Sequence, residues 1–189
     1  MLNKHWITIV KFFIFFVSLF FVQNNYAASM DPPTLKYLGS FQFDLNATYF
    51  IDDYKMFSDF GPGKITLKDG GSGIVNVCNE NTDVIANDKK TIALTVSCEI
   101  IMDDGAGLRL QYYGRIVPGK GFYEKVEHGE TAKVNDGVDS WFTGVTFRTS
   151  SKKYAYLNNE LIVGRGTSLT FPKGMRNGSV NYDFYKVTY

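Results

Sequence analysis

The segment TIALTVSCEIIM, residues 91–102, places large apolar side chains at every second position without a break. A period of two is typical of a β-strand that buries one face. The turn sequence DDGAG follows at 103–107, and LRLQYYGRI, residues 108–116, alternates again. These neighbouring segments therefore predict a β-hairpin.

The length of these strands limits the architecture. At roughly 3.3 Å per residue, such a strand spans about 35–40 Å, whereas most strands have about five or six residues. Strands this long usually tilt around a closed barrel, which also leaves no unpaired edge. Further strand-like runs are SWFTGVTF, KYAYL, ELIVG and SVNYDFYKVTY. We therefore expect an all-β chain folded as a closed antiparallel β-barrel with long strands.

Two other segments have apolar residues three to four positions apart, which is the spacing of a helix. They are NATYFIDDYKMF, residues 46–57, and GFYEKVEHG, residues 121–129. We expect one or two short helices here, in loops between the strands of the barrel.

Cys78 and Cys98 lie at equal distances from Asp88, in the turn-like sequence ANDKK. If the flanking strands pair in register across that turn, the two cysteines face each other directly. A disulfide would then close a loop of about 20 residues and stabilise the fold by roughly 2–4 kcal/mol. We expect this disulfide because an even number of cysteines in an exported chain favours pairing. Buried free thiols and reactive thiols are the alternatives.

The first 27 residues resemble a secretory signal peptide. Two lysines precede the apolar run FFIFFVSLFFV, which is too short to span a bilayer of about 30 Å. We expect cleavage after Ala27, export to the periplasm or the extracellular medium, and a single β-barrel domain over residues 28–189. The alternative, an uncleaved anchor helix over residues 6–22, would have to bury Lys11 in the membrane.

Removal of the signal peptide leaves a nearly neutral chain. Two of the 20 basic residues and none of the 19 acidic residues are lost, so the net charge falls to about −1. Nucleic-acid binding depends on many cationic contacts with phosphates, and the sequence has no cluster of Lys and Arg. We therefore expect no nucleic-acid partner.

The same cleavage leaves His128 as the single histidine. The usual zinc site needs three or four His or Cys ligands, and a catalytic triad needs a histidine beside its nucleophile. His128 lies in the polar segment EKVEHGETAK, far along the chain from both cysteines. We therefore expect no metal site and no cofactor.

The C-terminal part, about residues 88–189, carries several short motifs. They are DDGA at 103–106, Gly129 with Glu130, Phe147 with Thr149, YAYLN at 154–158 and IVGRG at 162–166. In this combination the chain resembles the uncharacterised protein family 0311, also called domain of unknown function 3237. The resemblance implies an antiparallel β-barrel and no established reaction.

The chain departs from that family pattern at several polar positions. The family usually has other residues, namely an aspartate near Thr95, a tyrosine at Cys98, an arginine near Phe142, a glutamate at Arg148 and a tryptophan at Tyr156. Several polar groups of a shared site are therefore missing here, and the resemblance implies the fold alone.

The stretch YAYLNNELIVGRG, residues 154–166, carries polar groups within an apolar run. Asn158 to Glu160 fit a bend between two strand segments, because Asn tolerates a left-handed backbone. Gly164 and Gly166 fit a strand bulge. As an alternative to the bend, Asn158 presents a polar group in a pocket.

A barrel of about eight strands can hold one small molecule in a cavity of aromatic and a few polar side chains. We therefore expect a β-barrel that binds a small, partly apolar ligand and has no stable insertion into a membrane. The candidate ligand-binding residues are Tyr112, Arg115, Trp141, Tyr154, Tyr156 and Asn158. For each aromatic residue, plain packing in the core is the alternative.

Two other functions agree with parts of the sequence. An outer-membrane β-barrel fits the signal peptide, the long strands and the C-terminal YKVTY, although Asp183 shares a strand face with Tyr185. An enzyme would depend on carboxylates and tyrosines for acid–base chemistry, such as an isomerisation or a cyclisation. Glu99, on the polar face of its predicted strand, is a candidate for that chemistry.

Overall fold

The computed structural model describes residues 31–52, 55–85 and 91–189. The predicted signal peptide, residues 1–27, and the predicted turn around Asp88 lie outside the described residues. Within the described part, no helix has the length and apolar character needed to cross a membrane.

Nine β-strands make up most of the described chain. They are β1 (Thr34–Phe50), β2 (Lys55–Leu67), β3 (Ser72–Ile85), β4 (Thr91–Met102), β5 (Gly107–Pro118), β6 (Thr131–Val134), β7 (Gly137–Arg148), β8 (Ile162–Thr170) and β9 (Gly178–Thr188). The connections contain an α-helix, α1 (Phe122–His128), and a 3-10 helix, Ala155–Asn159. The prediction of an all-β chain is therefore confirmed.

The strands hydrogen-bond in a closed ring in the order β1-β2-β3-β4-β5-β7-β6-β8-β9, and β9 pairs with β1. Closure gives the long strands partners on both sides. One pairing departs from the predicted antiparallel pattern, because β6 runs parallel to β7 with Lys133 opposite Gly137. The chain makes a tight loop through Asn135 and Gly137, whose φ angles are 69° and 89°, and continues in the same direction, so that the four residues of β6 lie beside the start of β7.

The predicted hairpin is confirmed as β4 and β5. Cys98 lies opposite Leu110, and the Met102 N–H donates a hydrogen bond of 2.9 Å to the Ala106 carbonyl across the turn. The alternation of β4 also holds, because its large apolar residues from Ile92 onwards are mostly buried and Glu99 is exposed. The interior of the closed sheet is therefore its hydrophobic core.

The predicted disulfide is present between Cys78 in β3 and Cys98 in β4. The two residues are direct neighbours across the strands, and their Cα atoms are 4.1 Å apart. A register shift between Val75 and Val77 places Cys78 on the inner face of β3. The symmetric positions of the cysteines in the sequence thus indicate the register of this strand pair.

One of the two predicted helices is confirmed and the other is wrong. The confirmed helix is α1, which ends at Gly129, where a φ of 63° lets the Gly129 N–H bond the Val126 carbonyl. Of the segment 46–57, residues 46–50 instead form the end of β1 and residues 55–57 the start of β2, while residues 53 and 54 lie outside the described residues. Its helix-like spacing is overridden by pairing between these strands, for example of Thr48 with Ser58.

The predicted strand KYAYL is also corrected, because residues 155–159 form the 3-10 helix. Tyr154 and Leu157 are each only 1 % exposed, so they pack into the end of the closed sheet. Two residues three positions apart lie on one side of such a helix, whereas an extended strand would direct them to opposite faces.

Candidate functional site

The interior of the closed sheet contains a cavity that reaches α1. The free space inside it is about 40 Å³, which is room for about three water molecules. Much of its wall is aromatic and comes from Phe43, Phe60, Tyr112, Phe122, Trp141 and Tyr182. Polar side chains also line it, namely Thr48, Ser58, Glu80 and Thr82. An apolar wall with a few polar groups is the usual composition of a small-molecule site.

A glycine in β8 makes room for the largest of these side chains. Gly166 lies beside Trp141, and a Cβ atom on Gly166 would come within 1.8 Å of the indole ring. The register of β8 shifts between Gly166 and Ser168, which confirms the predicted bulge. The IVGRG motif therefore allows an indole ring to lie across the strand inside the closed sheet.

Glu80 places a carboxyl group in this mostly apolar cavity, where it is only 7 % exposed. Strand pairing aligns Ser58, Glu80, Val96 and Tyr112 in one row across β2, β3, β4 and β5. The carboxyl group forms hydrogen bonds with the side chains of Ser58 and Thr82. The described residues of the cavity wall include no Lys, Arg or His, so none of them offers Glu80 a cation.

Burial raises the pKa of Glu80 from 4.5 to about 7, and the hydrogen bonds from Thr82 and Ser58 offset part of that rise. The physical cause is that removal from water disfavours the charged carboxylate. Glu80 can therefore exist in both the protonated and the ionised form near neutral pH. Carboxyl groups with such pKa values are concentrated at functional sites.

Tyr112 and Tyr182 form a buried pair close to Glu80. Their hydroxyls are hydrogen-bonded to each other, and their ring centroids are 5.2 Å apart. Burial is the main cause that raises the pKa of both hydroxyls, and the charge of Glu80 adds to it. Both tyrosines stay protonated while Glu80 titrates. Since one hydroxyl donates to the other, the second keeps a proton for a ligand.

Two polar atoms of the cavity wall, Thr48 Oγ1 and Trp141 Nε1, have no hydrogen-bond partner among the described residues. The Trp141 N–H lies close enough to Tyr182 to lower the pKa of that hydroxyl, but it lacks the geometry of a hydrogen bond. An unpaired buried polar group costs about 1–3 kcal/mol, so most such groups have partners. These two atoms are therefore available to a ligand.

A surface groove adjoins the cavity between α1 and the connection that follows β8. It is lined by Thr48, Tyr123, Val126, Glu127, Phe171 and Pro172. Thr48 and Phe171 belong to the walls of both the groove and the cavity. The groove and the cavity are therefore neighbours that share part of their walls.

Two of the six predicted ligand-binding residues lie in this cavity. They are Tyr112 and Trp141, and each is only 1 % exposed. The other four lie elsewhere, with Tyr154, Tyr156 and Asn158 at the opposite end of the closed sheet and Arg115 on its outer face. The structure therefore does not bring the six residues together in one site.

The opposite end is closed by contacts between loops. The Tyr154 hydroxyl donates to Asp104 in the β4–β5 turn at 3.1 Å, and the Tyr156 hydroxyl donates to Asp69 in the β2–β3 turn at 2.9 Å. Lys153 contacts Asp104 at 2.8 Å and lowers the pKa of that carboxyl. These contacts hold the 3-10 helix in place across the end of the sheet.

The remaining candidates make local contacts. The Asn158 side chain accepts from the Thr149 N–H and donates to the Thr149 carbonyl, both at 2.9 Å. Arg115 is exposed on β5, where it lies opposite Phe142 of β7. Glu99 is exposed and pairs with Arg109 at 3.2 Å. The cavity carboxyl is thus Glu80, and Glu99 lies on the other face of the sheet.

The sequence reasoning missed two polar residues of the cavity that matter here, Tyr182 and Glu80. Glu80 lies in VNVCNENTDVI, residues 75–85, where the bulge after Val75 interrupts the alternation. Cys78 carries a signal that could have revealed it. A half-cystine facing the interior places Glu80 and Thr82, two and four residues later, on the same inner face of the strand.

A family model described as protein of unknown function (DUF3237) matches residues 33–187. This range includes nearly all of the closed sheet, and the match confirms the resemblance seen in the sequence. A comparison with curated proteins finds no match.

Solved structures share the fold. A protein of unknown function from Clostridium acetobutylicum is 21% identical with a TM-score of 0.65, and the match covers 84% of this chain and 99% of that chain. A beta-barrel like protein from Acinetobacter baumannii is 23% identical with a TM-score of 0.62, covering 84% and 98%. An enzyme from Penicillium herquei is 19% identical with a TM-score of 0.53, covering 84% and 97%. At these identities the likeness concerns the fold alone.

Proposed function

The chain belongs to the DUF3237 family, and we propose that it is an exported β-barrel that binds one small, largely apolar ligand in the cavity around Glu80. One observation carries this proposal. The cavity combines an aromatic wall with two buried polar atoms, Thr48 Oγ1 and Trp141 Nε1, that lack partners among the described residues. A ligand would fill the apolar space and satisfy these atoms at the same time.

The wall of the cavity indicates the chemistry of the ligand. Large aromatic side chains favour a ligand with a ring or a planar body, because flat surfaces stack and pack well. The Trp141 N–H is a donor only, so it requires a hydrogen-bond acceptor on the ligand. A carbonyl or ether oxygen on a cyclic, otherwise apolar molecule meets both conditions.

The distribution of charge supports a barrel that works in water rather than one inserted in an outer membrane. The outer face of the sheet exposes charged side chains such as Glu99, Arg109 and Arg115, whereas the inner face is mostly apolar. A transmembrane barrel has the reverse arrangement, with an apolar band facing lipid. The disulfide between Cys78 and Cys98 is consistent with export to an oxidising compartment.

The alternative function is acid–base catalysis inside the barrel. One structural neighbour, from Penicillium herquei, is described as an enzyme, so the fold is compatible with catalysis. Within the cavity, Glu80 and the two tyrosines would be the groups available for it.

Native mass spectrometry tests ligand binding directly. Protein of residues 28–189 is purified from an exporting host without harsh washing, together with Leu94→Trp and Ile101→Trp. Leu94 lines the cavity, whereas Ile101 is 45 % exposed on the same strand, so only the first substitution fills the cavity. We expect a small-molecule adduct on wild type and Ile101→Trp but not on Leu94→Trp. An equal adduct on all three would place the ligand elsewhere, and no adduct on any would contradict the proposal.

A further inference from the structure

The polar groups of the cavity form two sets. Glu80 lies on β3 with hydrogen bonds to the side chains of Ser58 and Thr82. The second set is the hydrogen-bonded pair of Tyr112 and Tyr182. Their hydroxyls lie close enough to Glu80 for its charge to raise their pKa. A proton acceptor and a pair of hydroxyl donors therefore share one apolar space.

Other groups extend the donor set. The Trp141 ring contacts the Tyr182 ring with centroids 4.9 Å apart, and the Trp141 N–H has no partner among the described residues. An oxygen atom of a ligand near these rings can accept hydrogen bonds from a tyrosine hydroxyl and from the indole. Such a pair of donors resembles an oxyanion hole in its chemistry, because both donors stabilise negative charge on that oxygen.

We propose that Glu80 moves a proton at the carbon next to a carbonyl group of the bound ligand, while the Tyr112–Tyr182 pair and Trp141 hold the carbonyl oxygen. This inference rests on the proposed function, since it concerns the same cavity. The substrate class is a cyclic, otherwise apolar ketone or enone, and the reaction is an isomerisation through an enol or enolate.

The atoms and electrons of this reaction balance without another reactant. The Glu80 carboxylate takes the proton from the α-carbon, and the electrons of that C–H bond form a C=C bond. The π electrons of the carbonyl move to its oxygen, which accepts hydrogen bonds from the donor set. Glu80 then returns the proton to the same carbon, or to the γ-carbon of an enone, and the carbonyl re-forms. The ligand leaves as an isomer and Glu80 is again a carboxylate.

The environment of Glu80 suits this role. General bases work best when their pKa is near the working pH, and burial raises the pKa of Glu80 to about 7. Among the described residues of the cavity wall, Glu80, Tyr112 and Tyr182 are the titratable ones, and both tyrosines remain protonated near neutral pH. The rate of proton transfer should therefore rise with pH with a midpoint of about 7.

Deuterium exchange tests the proposal without knowledge of the natural ligand. Cyclohexanone, 2-indanone and 2-tetralone serve as probes in heavy water, and proton NMR follows the loss of their α-hydrogens. Binding of each ketone is measured separately from its effect on Trp fluorescence. The variants are Glu80→Gln, which keeps a group able to bond Ser58 and Thr82, and Glu99→Gln, which changes an exposed carboxyl of β4.

We expect saturable exchange for at least one ketone, unchanged in Glu99→Gln and reduced about 100-fold or more in Glu80→Gln. Tyr182→Phe, which removes a donor without touching the base, should slow exchange with a smaller loss of binding. If Glu80→Gln does not fold, the exchange rate of Tyr182→Phe and the pH profile of wild type decide whether Glu80 transfers the proton. A wild-type rate that is independent of pH between 5 and 9, roughly two pKa units either side of 7, would overturn the proposal.

The outcomes separate this inference from the proposed function. A bound ketone that exchanges no faster than in free solution, or equally fast in Glu80→Gln, overturns proton transfer and leaves ligand binding intact. Failure to bind any ketone, together with a native adduct in the mass spectrum, overturns the substrate class alone. Failure to bind any ketone and the absence of an adduct overturn the proposed function itself.

Discussion

The two ends of the closed sheet use tyrosine hydroxyls in different ways. At one end, Tyr154 and Tyr156 donate to the carboxylates of Asp104 and Asp69 in neighbouring turns. At the cavity end, Tyr112 and Tyr182 bond each other inside an apolar space. The first pair ties loops together, whereas the second pair leaves a proton that a ligand can use.

The carboxyl groups at the two ends also differ, because the pKa of one is lowered and the pKa of the other is raised. Lys153 and nearby hydrogen bonds lower the pKa of Asp104, so that this carboxyl is a stable anion. Glu80 is buried without a cation among the described residues of its cavity, and its pKa is raised. One end is thus closed by hydrogen bonds to ionised carboxyl groups, whereas the other contains a buried carboxyl group with a raised pKa.

The largest expected effect comes from the disulfide between Cys78 and Cys98, in which Cys78 lies two residues before Glu80 in β3. The bond joins two residues that are 20 positions apart in the sequence, and this cross-link restricts the unfolded chain. Replacing both cysteines with alanine should therefore lower the free energy of unfolding by about 3 kcal/mol. Urea denaturation of the oxidised wild type and of the double variant measures the difference. An unchanged midpoint would contradict a stabilising role for this disulfide.

Removal of the Glu80 charge should make stability less dependent on pH. The Glu80 carboxyl ionises near pH 4.5 in the unfolded protein and near pH 7 in the folded protein. As the pH rises, the unfolded state therefore loses this proton first. Stability of the wild type therefore falls as pH rises from 4.5 to 7, by roughly 3 kcal/mol in total, and stays at the lower level above that range. The Glu80→Gln variant should not lose this stability between pH 4.5 and 7, because glutamine does not ionise.

The measurement is the free energy of unfolding of wild type and Glu80→Gln between pH 4 and pH 8. The control is Glu99→Gln, whose carboxyl is exposed beside Arg109. Parallel curves for wild type and Glu80→Gln would contradict the burial of an unpaired carboxyl group.

The glycine beneath Trp141 gives a test of intermediate size. A Cβ atom on Gly166 would come within 1.8 Å of the indole ring, whereas a Cβ atom on Gly144 meets nothing within 4 Å. Gly166→Ala should therefore destabilise the fold by about 1–3 kcal/mol and shift the Trp fluorescence. Gly144→Ala serves as the matched control and should change neither. Equal effects of the two substitutions would show that Trp141 does not lie across β8.

The smallest expected effect concerns the closed end. Tyr154→Phe removes the hydrogen bond to Asp104 but keeps the buried ring, so stability should fall by about 1 kcal/mol. Ligand binding should not change, because Tyr154 is not part of the cavity wall. Thermal denaturation and the native adduct together check the two expectations. A lost adduct would mean that the two ends are coupled.

Much of the fold could be predicted because local patterns agree with it. The alternation of residues 91–102 determines the inner face of β4, and the positions of Cys78 and Cys98 indicate its register with β3. The sequence does not reveal the 3-10 helix at Ala155–Asn159, whose conformation depends on packing of Tyr154 and on its hydrogen bond to the distant Asp104.

The site was less predictable for a related reason. Tyr112 and Trp141 could be chosen as aromatic residues of predicted strands, and both line the cavity. Glu80 follows a bulge that breaks the period of two, so its side-chain direction is not apparent from the neighbouring sequence. The position of the cavity also depends on contacts between strands far apart in the chain.

The most direct test of the cavity is a carbon NMR titration of the Glu80 side chain in protein labelled at the glutamate carboxyl carbons, with Glu80→Gln to assign the signal. The account predicts a midpoint of about 7. It also predicts that an apolar ligand bound in the cavity shifts both the resonance and its midpoint. A midpoint near 4.5, the ordinary value for this carboxyl, with no response to ligand would contradict the account.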